Sequence, residues 1–349
     1  MLCYTSRMTT YKDSGVDIAQ AGRVKKEMSA FIDRGDKRVL NRHGAFAALV
    51  EGSFKGFKHP VLVLKTEEPG SKQKIAFEHG KIGSLCEDTI HHLINDVVVM
   101  GAEPLYVQDA VICGKLEPAV VTEIVKGFAD ACAAQGCVLT GGETSEQPGV
   151  LPAGTYILTA SIVGVVEKDR IIDGSAIAVG DTVLAVSSNG LHTNGYTLVR
   201  KLMADHPEIL KEKIDGRSFL DAILTPHRCY FQSLKGLFSE TMLKGIAHIT
   251  GGGIAGNLNR ILPKGTSAVI DLPKLRVLPI FRLIQKYGNV PDEDMLRTFN
   301  MGAGLTVVCE PEAAGKIRKH FASQGIDSYK IGTIEKGKQE VTYTNSLRW

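Results

Sequence analysis

Short apolar runs alternate along the chain with longer segments in which apolar residues recur every three or four positions. The apolar run over 61–64 predicts a strand, and the helical spacing over 85–98 predicts an amphipathic helix. A second helix is predicted after Pro118, with Gly136 at a position typical of the residue that ends a helix. Alternating strands and helices of this kind predict a mixed α/β (α+β) fold.

The second half of the chain repeats this alternation after a seam rich in charge and glycine over 167–180. Strands are predicted over 182–186, 267–272, 304–309 and 329–334, and helices over 197–203 and 313–324. A chain of 349 residues exceeds the size at which a single core usually keeps growing. We therefore predict two domains, residues 1–170 and residues 171–349.

Composition and charge exclude several broad classes of protein. The chain has 41 Lys and Arg residues against 38 Asp and Glu residues, and the resulting net charge of +3 is too small to indicate a nucleic-acid-binding protein. Hydrophobic residues make up 44%, which excludes wholesale disorder. The long uncharged stretch between Glu146 and Glu167 is interrupted by prolines and glycines, and its alternation predicts a buried strand instead of a membrane helix.

The seven cysteines are odd in number and form no Cys-x-x-Cys pair. We expect reduced, partly buried thiols in a cytoplasmic protein, without a zinc site or a disulfide framework. The adjacent residues His91 and His92 have no metal-ligand spacing around them, so we expect a position on the helix surface with one polar contact.

Acidic residues follow or end three apolar segments. Glu67 and Glu68 follow a strand, and Asp96 lies near the end of an apolar helix. Glu143 and Glu146 follow two glycines. Carboxylates brought together from separate segments are what a Mg²⁺–nucleotide site requires. For Glu68 and Glu146 a solvated surface position is at least as good an interpretation, whereas Asp96 lies among apolar residues and needs a partner.

Two glycine-rich loops of the second half are candidate anion-binding sites. Residues 249–253 precede a helical segment, and residues 187–195 join a strand to a helix and carry His192. Backbone N–H groups at such turns can bind phosphate, although the same sequences also occur as ordinary turns and a single His is often structural. Two such loops facing acidic loops of the other domain favour a nucleotide or phosphate cleft. P-loop, dinucleotide, protein-kinase and His-Glu-x-x-His motifs are absent from the sequence.

Several of these loops belong to longer motifs that follow one another from residue 11 nearly to the end of the chain. They include Asn95–Leu105, Gly141–Gly149, His192–Tyr196, Ala247–Gly253 and Arg297–Gly302. In this order the motifs resemble those of the phosphoribosylformylglycinamidine cyclo-ligase family, the aminoimidazole ribonucleotide synthetases. The Gly-Gly-Glu sequence alone would indicate only the larger superfamily, which also holds selenophosphate synthetase and thiamine-monophosphate kinase.

The resemblance implies two α/β domains and a homodimer formed through the N-terminal domains, whose strands build a shared barrel-like sheet. Residues 1–170 would bind ATP and form the dimer, and residues 171–349, a sheet flanked by helices, would complete the active-site cleft. The implied reaction converts formylglycinamidine ribonucleotide and ATP to aminoimidazole ribonucleotide, ADP and phosphate in purine biosynthesis, with Mg²⁺ as cofactor. ATP would phosphorylate the formyl amide oxygen, and the amidine nitrogen would then close the ring as phosphate leaves.

The same resemblance implies roles for individual residues. Catalytic roles fall on Lys72, Asp96 and His192, with His192 as a proton carrier because imidazole can change its charge near neutral pH. Metal binding falls on Glu67, Asp96 and Glu143. ATP or its phosphates would contact Lys12, Asp13, Gly70, Ser71, Lys72, Asn95, Gly141, Gly142, Glu143 and Asn194. The phosphate of the substrate would contact His248, Gly251, Gly252 and Gly253.

Two segments depart from the usual sequence of the family. Residues 66–72 read Thr-Glu-Glu-Pro-Gly-Ser-Lys where the family usually has Thr-Asp-Gly-Val-Gly-Thr-Lys, and residues 42–47 are less rich in glycine. The longer side chain of Glu67 and the fixed φ of Pro69 could alter metal and nucleotide geometry. Another ATP-using enzyme of the superfamily with a different substrate stays open as an alternative. The altered segment also leaves open a degenerate paralogue that binds without catalysis.

Overall fold

The computed structural model of the protein describes residues 17–41 and 43–349. The predictions made for Lys12 and Asp13 lie outside these residues. Within the described ranges the mixed α/β prediction is confirmed, because two main sheets are each flanked by helices. The six cysteines described there are free thiols, and five of them are buried. No helix in this part of the chain combines the length and apolar character needed to cross a bilayer.

The first sheet has four strands and takes its helices from the same part of the chain. The strands are β1 (Pro60–Glu67), β2 (Glu103–Cys113), β3 (Val138–Glu146) and β4 (Tyr156–Glu167), in the spatial order β1-β4-β2-β3. β4 runs antiparallel to β1 and β2, and β3 runs parallel to β2. The helices are α1 (Ile18–Ile32), α2 (Lys72–Glu78), α3 (Ile82–Val98) and α4 (Pro118–Ala134).

One face of this sheet carries the core. α3 packs against β1, β2 and β4, and α4 packs against α3. Side chains alternate along β1, so Val61 and Val63 contact the core, while Leu62 and Leu64 on the other face are 51% and 70% exposed. We call the helix-covered side of the sheet its inner face and the other side its outer face.

The second sheet is formed by later segments of the chain. Its strands are β5 (Thr182–Ser187), β8 (Gly245–His248), β9 (Thr266–Asp271), β10 (Ala303–Cys309), β11 (Ser328–Lys336) and β12 (Val341–Thr344), in the order β12-β9-β11-β5-β10-β8. β6 (Lys213–Ile214) and β7 (Arg217–Ser218) form a small separate pair. The helices are α5 (Tyr196–Asp205), α6 (Phe219–Ile223), α7 (Phe231–Lys235), α8 (Gly253–Leu258), α9 (Pro279–Gly288), α10 (Asp292–Thr298) and α11 (Pro311–Ser323).

Helix α3 joins the two halves through buried polar contacts to the segment that precedes α7. The side-chain amide of Asn95 donates to the carbonyl oxygen of Arg228 at 2.8 Å and accepts from the backbone N–H of Tyr230 at 2.9 Å. The backbone N–H of His227 donates to the carboxylate of Asp88 at 2.7 Å. These bonds fix the junction between the two sheets, where most of the candidate site residues lie. They also use the amide of Asn95, which the sequence predicts as a nucleotide contact.

Candidate active site at the domain junction

Asp96 lies in the last turn of α3 and contacts both halves of the molecule. Its Oδ1 accepts a hydrogen bond from Nδ1 of His248, at the end of β8, at 2.7 Å. Its Oδ2 lies 3.2 Å from Nζ of Lys65 on β1. Burial raises the pKa of Asp96, but the hydrogen bond from His248 and the positive charge nearby hold it well below its usual range. The partner that this carboxylate requires is thus supplied from both sides of the junction.

Lys65 is a candidate that sequence reasoning missed, although it connects two predicted site residues. Its Nζ lies 2.7 Å from Oε1 of Glu67 and 3.2 Å from Oδ2 of Asp96. Burial lowers the pKa of Lys65, but the two carboxylates together raise it by a larger amount, so the net shift is upward. Lys65 and Glu67 are two residues apart on β1 and share its inner face, which is the signal that could have identified Lys65. We call Lys65, Glu67, Asp96 and His248 the junction cluster.

Buried histidines from the second half of the chain lie beside the junction cluster. The rings of His192 and His227 stack with their centroids 3.9 Å apart, and Nε2 of His227 lies 3.0 Å from Nε2 of His248. Burial lowers the pKa of His192 and of His227 well below the ordinary value, and neighbouring positive groups add to this effect. Both rings are therefore neutral at pH 7. The structure does not support the prediction that His192 changes its charge near neutral pH.

His92 lies inside the junction, so the prediction of a helix-surface position is wrong for this residue. Its side chain is buried, with Nδ1 3.1 Å from Oγ1 of Thr193 and Nε2 3.9 Å from Oδ2 of Asp96. Burial lowers the pKa of His92 to about 4. The second half of the chain covers the face of α3 that would be exposed if the first half stood alone.

Among the described residues, two sets of side chains are compact enough to suggest a metal site. They are His192 with His227 and His248, and His92 with Asp96 and His248, each set offering ligand atoms within 4.8 Å of one another. His192 stacks on His227 with an interplanar angle of 20°, so their lone pairs lie in separate, nearly parallel planes and do not converge on one ion. Asp96 is already bound by Lys65 and His248. Imidazoles also suit transition metals better than Mg²⁺.

Lys72 points into the junction and is fully buried. Its Nζ bonds to the carboxylate of Asp88 at 2.7 and 2.8 Å and to the carbonyl oxygens of His192 and Thr225 at 3.2 and 2.9 Å. Burial lowers the pKa of Lys72 and raises that of Asp88, so neither charge would persist here without the other. An ammonium group has three donors, and all three are used. In this structure Lys72 therefore has no free donor for the phosphate contact that the sequence predicts.

Three of the predicted phosphate loops meet near this pair. Oγ of Ser71, which follows Gly70 in the loop between β1 and α2, lies 3.4 Å from Oγ1 of Thr197. Gly251 lies beside Asn194, because a Cβ at Gly251 would be 3.3 Å from Oδ1 of Asn194. Nδ2 of Asn194 is buried and has no hydrogen-bond partner among the described residues. A buried donor without a partner favours a ligand oxygen at this position.

Gly252 and Gly253 do not offer the free backbone donors that the sequence predicts. Their N–H groups donate to carbonyl oxygens of the protein at 3.0 and 3.1 Å. A Cβ at Gly253 would lie 1.8 Å from the carbonyl oxygen of Leu296, so close packing against α10 requires glycine there. Both ring nitrogens of His248 are also engaged, by Asp96 and His227, so the phosphate contacts of these residues stay a prediction.

Glu143 belongs to a different part of the molecule. A cavity of about 1140 Å³ lies between residues 33–41 and 43–48 and the strands of the first sheet, and Gly141, Gly142, Glu143 and Thr66 contribute to its lining. Its volume exceeds that of most pockets for small molecules, so it can hold a nucleotide. Glu143 is exposed in this cavity.

Glu67 and Glu143 project from opposite faces of the first sheet. Glu67 on β1 pairs with Ala160 on β4, and Ala160 pairs with Asp109 on β2, so Glu67 and Asp109 point to the same face. Glu143 on β3 pairs with Ala110, the residue that follows Asp109 on β2. Neighbouring residues of a strand point to opposite faces. Three strand spacings, roughly 14 Å, separate β1 from β3. The structure therefore brings Glu67 to Asp96 and leaves Glu143 apart from both.

The other two acidic candidates, Glu68 and Glu146, lie in positions that indicate no role in the site. Glu68 is exposed to solvent, in keeping with the surface alternative. Oε1 of Glu146 accepts a hydrogen bond from the backbone N–H of Leu116 at 2.8 Å, so this side chain stabilises a loop.

Asp109 should make the stability of the protein fall as the pH rises. Burial raises its pKa to about 7 from an ordinary value of 3.8. Between these two pH values the unfolded chain has lost the proton that the folded chain keeps, so the free energy of unfolding decreases as the pH rises through this window. Asp109→Asn should remove that decrease, which amounts to about 4 kcal/mol at most.

Thermal unfolding of both proteins between about pH 4 and pH 8 measures this difference. Other titrating groups affect both proteins equally, so the difference between them isolates Asp109. Glu78→Gln, at an exposed carboxylate, is the control. Parallel pH profiles of Asp109→Asn and the unaltered protein would mean that Asp109 is ionised in the folded state at low pH.

Comparison with known proteins identifies the chain. Family profiles described as "AIR synthase related protein, N-terminal domain" and "AIR synthase related protein, C-terminal domain" match residues 55–166 and 178–344. A phosphoribosylformylglycinamidine cyclo-ligase of Neisseria gonorrhoeae is 40% identical over 333 residues, which cover 95% of this chain and 96% of that protein. The chain belongs to the phosphoribosylformylglycinamidine cyclo-ligase family. The cyclo-ligase of Chromobacterium violaceum is 42% identical over 329 residues, 94% of this chain and 95% of its own length.

Solved structures similar to this cyclo-ligase family member share its fold at low sequence identity. E. coli HypE matches with a TM-score of 0.68 and 16% identity, over 93% of this chain and 94% of HypE. Thiamine-monophosphate kinase from Stenotrophomonas maltophilia K279a matches with a TM-score of 0.66 and 15% identity, over 96% of this chain and 98% of the kinase. T. maritima PurL complexed with AMPPCP matches with a TM-score of 0.54 and 18% identity, over 83% of this chain and 43% of PurL.

Proposed function

We propose that this chain closes the imidazole ring of aminoimidazole ribonucleotide, using formylglycinamidine ribonucleotide and ATP. The observation that carries the proposal is identity of about 40% along nearly the whole chain to proteins named for this activity. The altered segment over 66–72 does not disturb the fold, since β1 continues through Glu67 and pairs with β4 to its end. This favours an active enzyme over a degenerate paralogue.

The chemistry has to turn a poor leaving group into a good one. The formyl amide oxygen attacks the γ-phosphorus of ATP, the bond between the γ-phosphorus and the bridging oxygen breaks, and ADP leaves. The amidine nitrogen then attacks the carbon of the resulting imidate phosphate, the C–O bond breaks, and phosphate and a proton are released. The enzyme has to hold the reacting atoms together and stabilise the phosphate charge, which requires no covalent nucleophile.

Two regions of the structure suit these tasks. The cavity that contains Glu143 would hold the nucleotide, and the junction cluster with Ser71 and Asn194 would hold the reacting phosphates. The end of β1 contributes to both regions: Thr66 lines the cavity, and Glu67, which points to the opposite face of the sheet, belongs to the cluster. Residues 1–170 would thus supply the ATP site, and residues 171–349 would complete the cleft.

A divalent cation bound with ATP would neutralise part of the phosphate charge. The exposed carboxylate of Glu143 fits such an ion, because it is a hard oxygen ligand without a protein partner among the described contacts. Glu67 and Asp96 do not fit a metal in this structure, since Lys65 already lies between them.

The proposed reaction is tested by mixing the protein with formylglycinamidine ribonucleotide and Mg·ATP. Aminoimidazole ribonucleotide and ADP should appear in a one-to-one ratio. ADP without the imidazole product would indicate another ATP-using enzyme of the superfamily. Binding of Mg·ATP without turnover, by a folded protein, would indicate a degenerate paralogue.

We also propose that the chain is a homodimer joined through the outer face of the first sheet. The exposed Leu62 and Leu64 lie on this face of the edge strand β1, where a second copy would cover them. Sedimentation equilibrium should give twice the mass of one chain, and Leu64→Glu should shift the protein toward the monomer. A monomeric mass for the unaltered protein at assay concentration would reject the dimer.

The described cysteines are free, which favours the cytoplasm as the compartment of this enzyme.

A further inference from the structure

Lys65 lies between two carboxylates that the sequence predicts as metal ligands. Its Nζ is 2.7 Å from Oε1 of Glu67 and 3.2 Å from Oδ2 of Asp96. A cation shared by the two carboxylates would have to lie in the same place, because carboxylate oxygens bind Mg²⁺ at about 2.1 Å. We propose that the ammonium group of Lys65 takes the place of a divalent cation at the Glu67–Asp96 pair, which therefore needs no metal.

The fold itself builds this arrangement. Lys65 and Glu67 share the inner face of β1 because they are two residues apart, and α3 packs against β1. Asp96 in the last turn of α3 thereby reaches the lysine, while His248 holds its other oxygen at 2.7 Å. The two carboxylates thus have a lysine and a histidine as partners before any ligand binds, and a metal would have to displace the lysine.

The departure of residues 66–72 from the usual family sequence has a physical explanation in this arrangement. Glu67 stands where the family usually has aspartate and reaches farther by one methylene group. An aspartate on β1 would withdraw its carboxylate from Lys65 by roughly one C–C bond length. The longer side chain is therefore matched to a lysine partner on the same strand.

Lys65 also keeps capacity for a ligand. An ammonium group has three donors, and the described contacts of Lys65 use two of them. Its side chain is 36% exposed, so the third donor can reach a phosphate oxygen in the cleft. This part of the inference rests on the proposed function, whereas the replacement of the metal does not.

The test is a titration of nucleotide-free protein with MnCl₂, followed by the electron paramagnetic resonance signal of free Mn²⁺. Lys65→Met should create a site that binds Mn²⁺ about tenfold or more tightly than any site of the unaltered protein. Adding Glu67→Gln to Lys65→Met should abolish the new site. Lys74→Met, which removes an exposed lysine of α2, should leave Mn²⁺ binding unchanged.

A second measurement keeps the inference testable if Lys65→Met does not fold. Glu67→Gln alone should leave Mn²⁺ binding as it is in the unaltered protein, since the lysine and not a metal occupies the pair. Loss of a bound Mn²⁺ in Glu67→Gln would overturn the proposal, as would equal Mn²⁺ affinity of the unaltered protein and folded Lys65→Met. Because no substrate is present, these results are independent of whether the ring-closure assay succeeds.

Discussion

Replacing Asp96 with asparagine is expected to lower turnover about 100- to 1000-fold while the fold remains intact. Asparagine has nearly the same shape but lacks the charge that draws Lys65 and His248 together across the junction. The amide nitrogen of asparagine is itself a donor, and it would have to face another donor, either the ammonium of Lys65 or the Nδ1–H of His248. The groups proposed to contact the phosphates would lose their fixed positions, and a preorganised electrostatic environment is usually the largest contribution to catalysis of this kind.

The measurement is the initial rate of aminoimidazole ribonucleotide formation at saturating Mg·ATP. Asp130→Asn is the matched control, because Asp130 is a surface aspartate that pairs with Arg34 and Lys126 away from the junction. It should keep nearly normal turnover. Asp96→Asn with turnover within about threefold of the unaltered enzyme would show that the charge of Asp96 has no part in catalysis.

Replacing Lys72 with methionine is expected to lower the free energy of unfolding by about 3–5 kcal/mol. The change leaves the carboxylate of Asp88 buried without its partner and deprives two carbonyl oxygens of a donor. Breaking a buried ion pair costs far more than breaking an exposed one, because the remaining charge cannot reach water. Denaturation by urea, followed by circular dichroism, measures the loss.

Two further variants separate this structural role from phosphate binding. Lys74→Met, which removes an exposed ion pair with Glu78, should cost less than about 1 kcal/mol. Lys72→Met combined with Asp88→Leu should recover most of the lost stability, because no unpaired charge remains. If Lys72→Met instead weakened ATP binding without changing the free energy of unfolding, Lys72 would be a phosphate ligand, as the sequence predicts.

Apolar periodicity predicts the main elements well, and it fails where polar residues continue a strand. The run over 61–64 indicates a strand, and the observed β1 extends to Glu67 because Lys65, Thr66 and Glu67 keep pairing with β4. These polar residues, which precede Pro69 and Gly70, indicate a loop when only the sequence is considered. Reading them as a strand would have placed Lys65 and Glu67 on one face and suggested their contact.

Contacts between distant segments account for the other differences. His92 reads as a surface residue because it lies beside the apolar stripe of α3, yet a segment more than 100 residues later covers it. Gly252 and Gly253 read as phosphate donors because sequence does not show which carbonyl groups take their N–H bonds. The partner required by Asp96 is predictable from its apolar surroundings, whereas the identity of that partner depends on the fold.

The buried contacts between α3 and the segment before α7 have a consequence for folding cooperativity. One continuous apolar core runs through both halves of the chain, and neither half supplies all partners for its own buried polar groups. A fragment ending near residue 170 would leave Asp88 without the backbone donor of His227, and Lys72 without two of its three acceptors. The two halves should therefore melt together as one thermodynamic unit, although each sheet is drawn from its own half of the sequence.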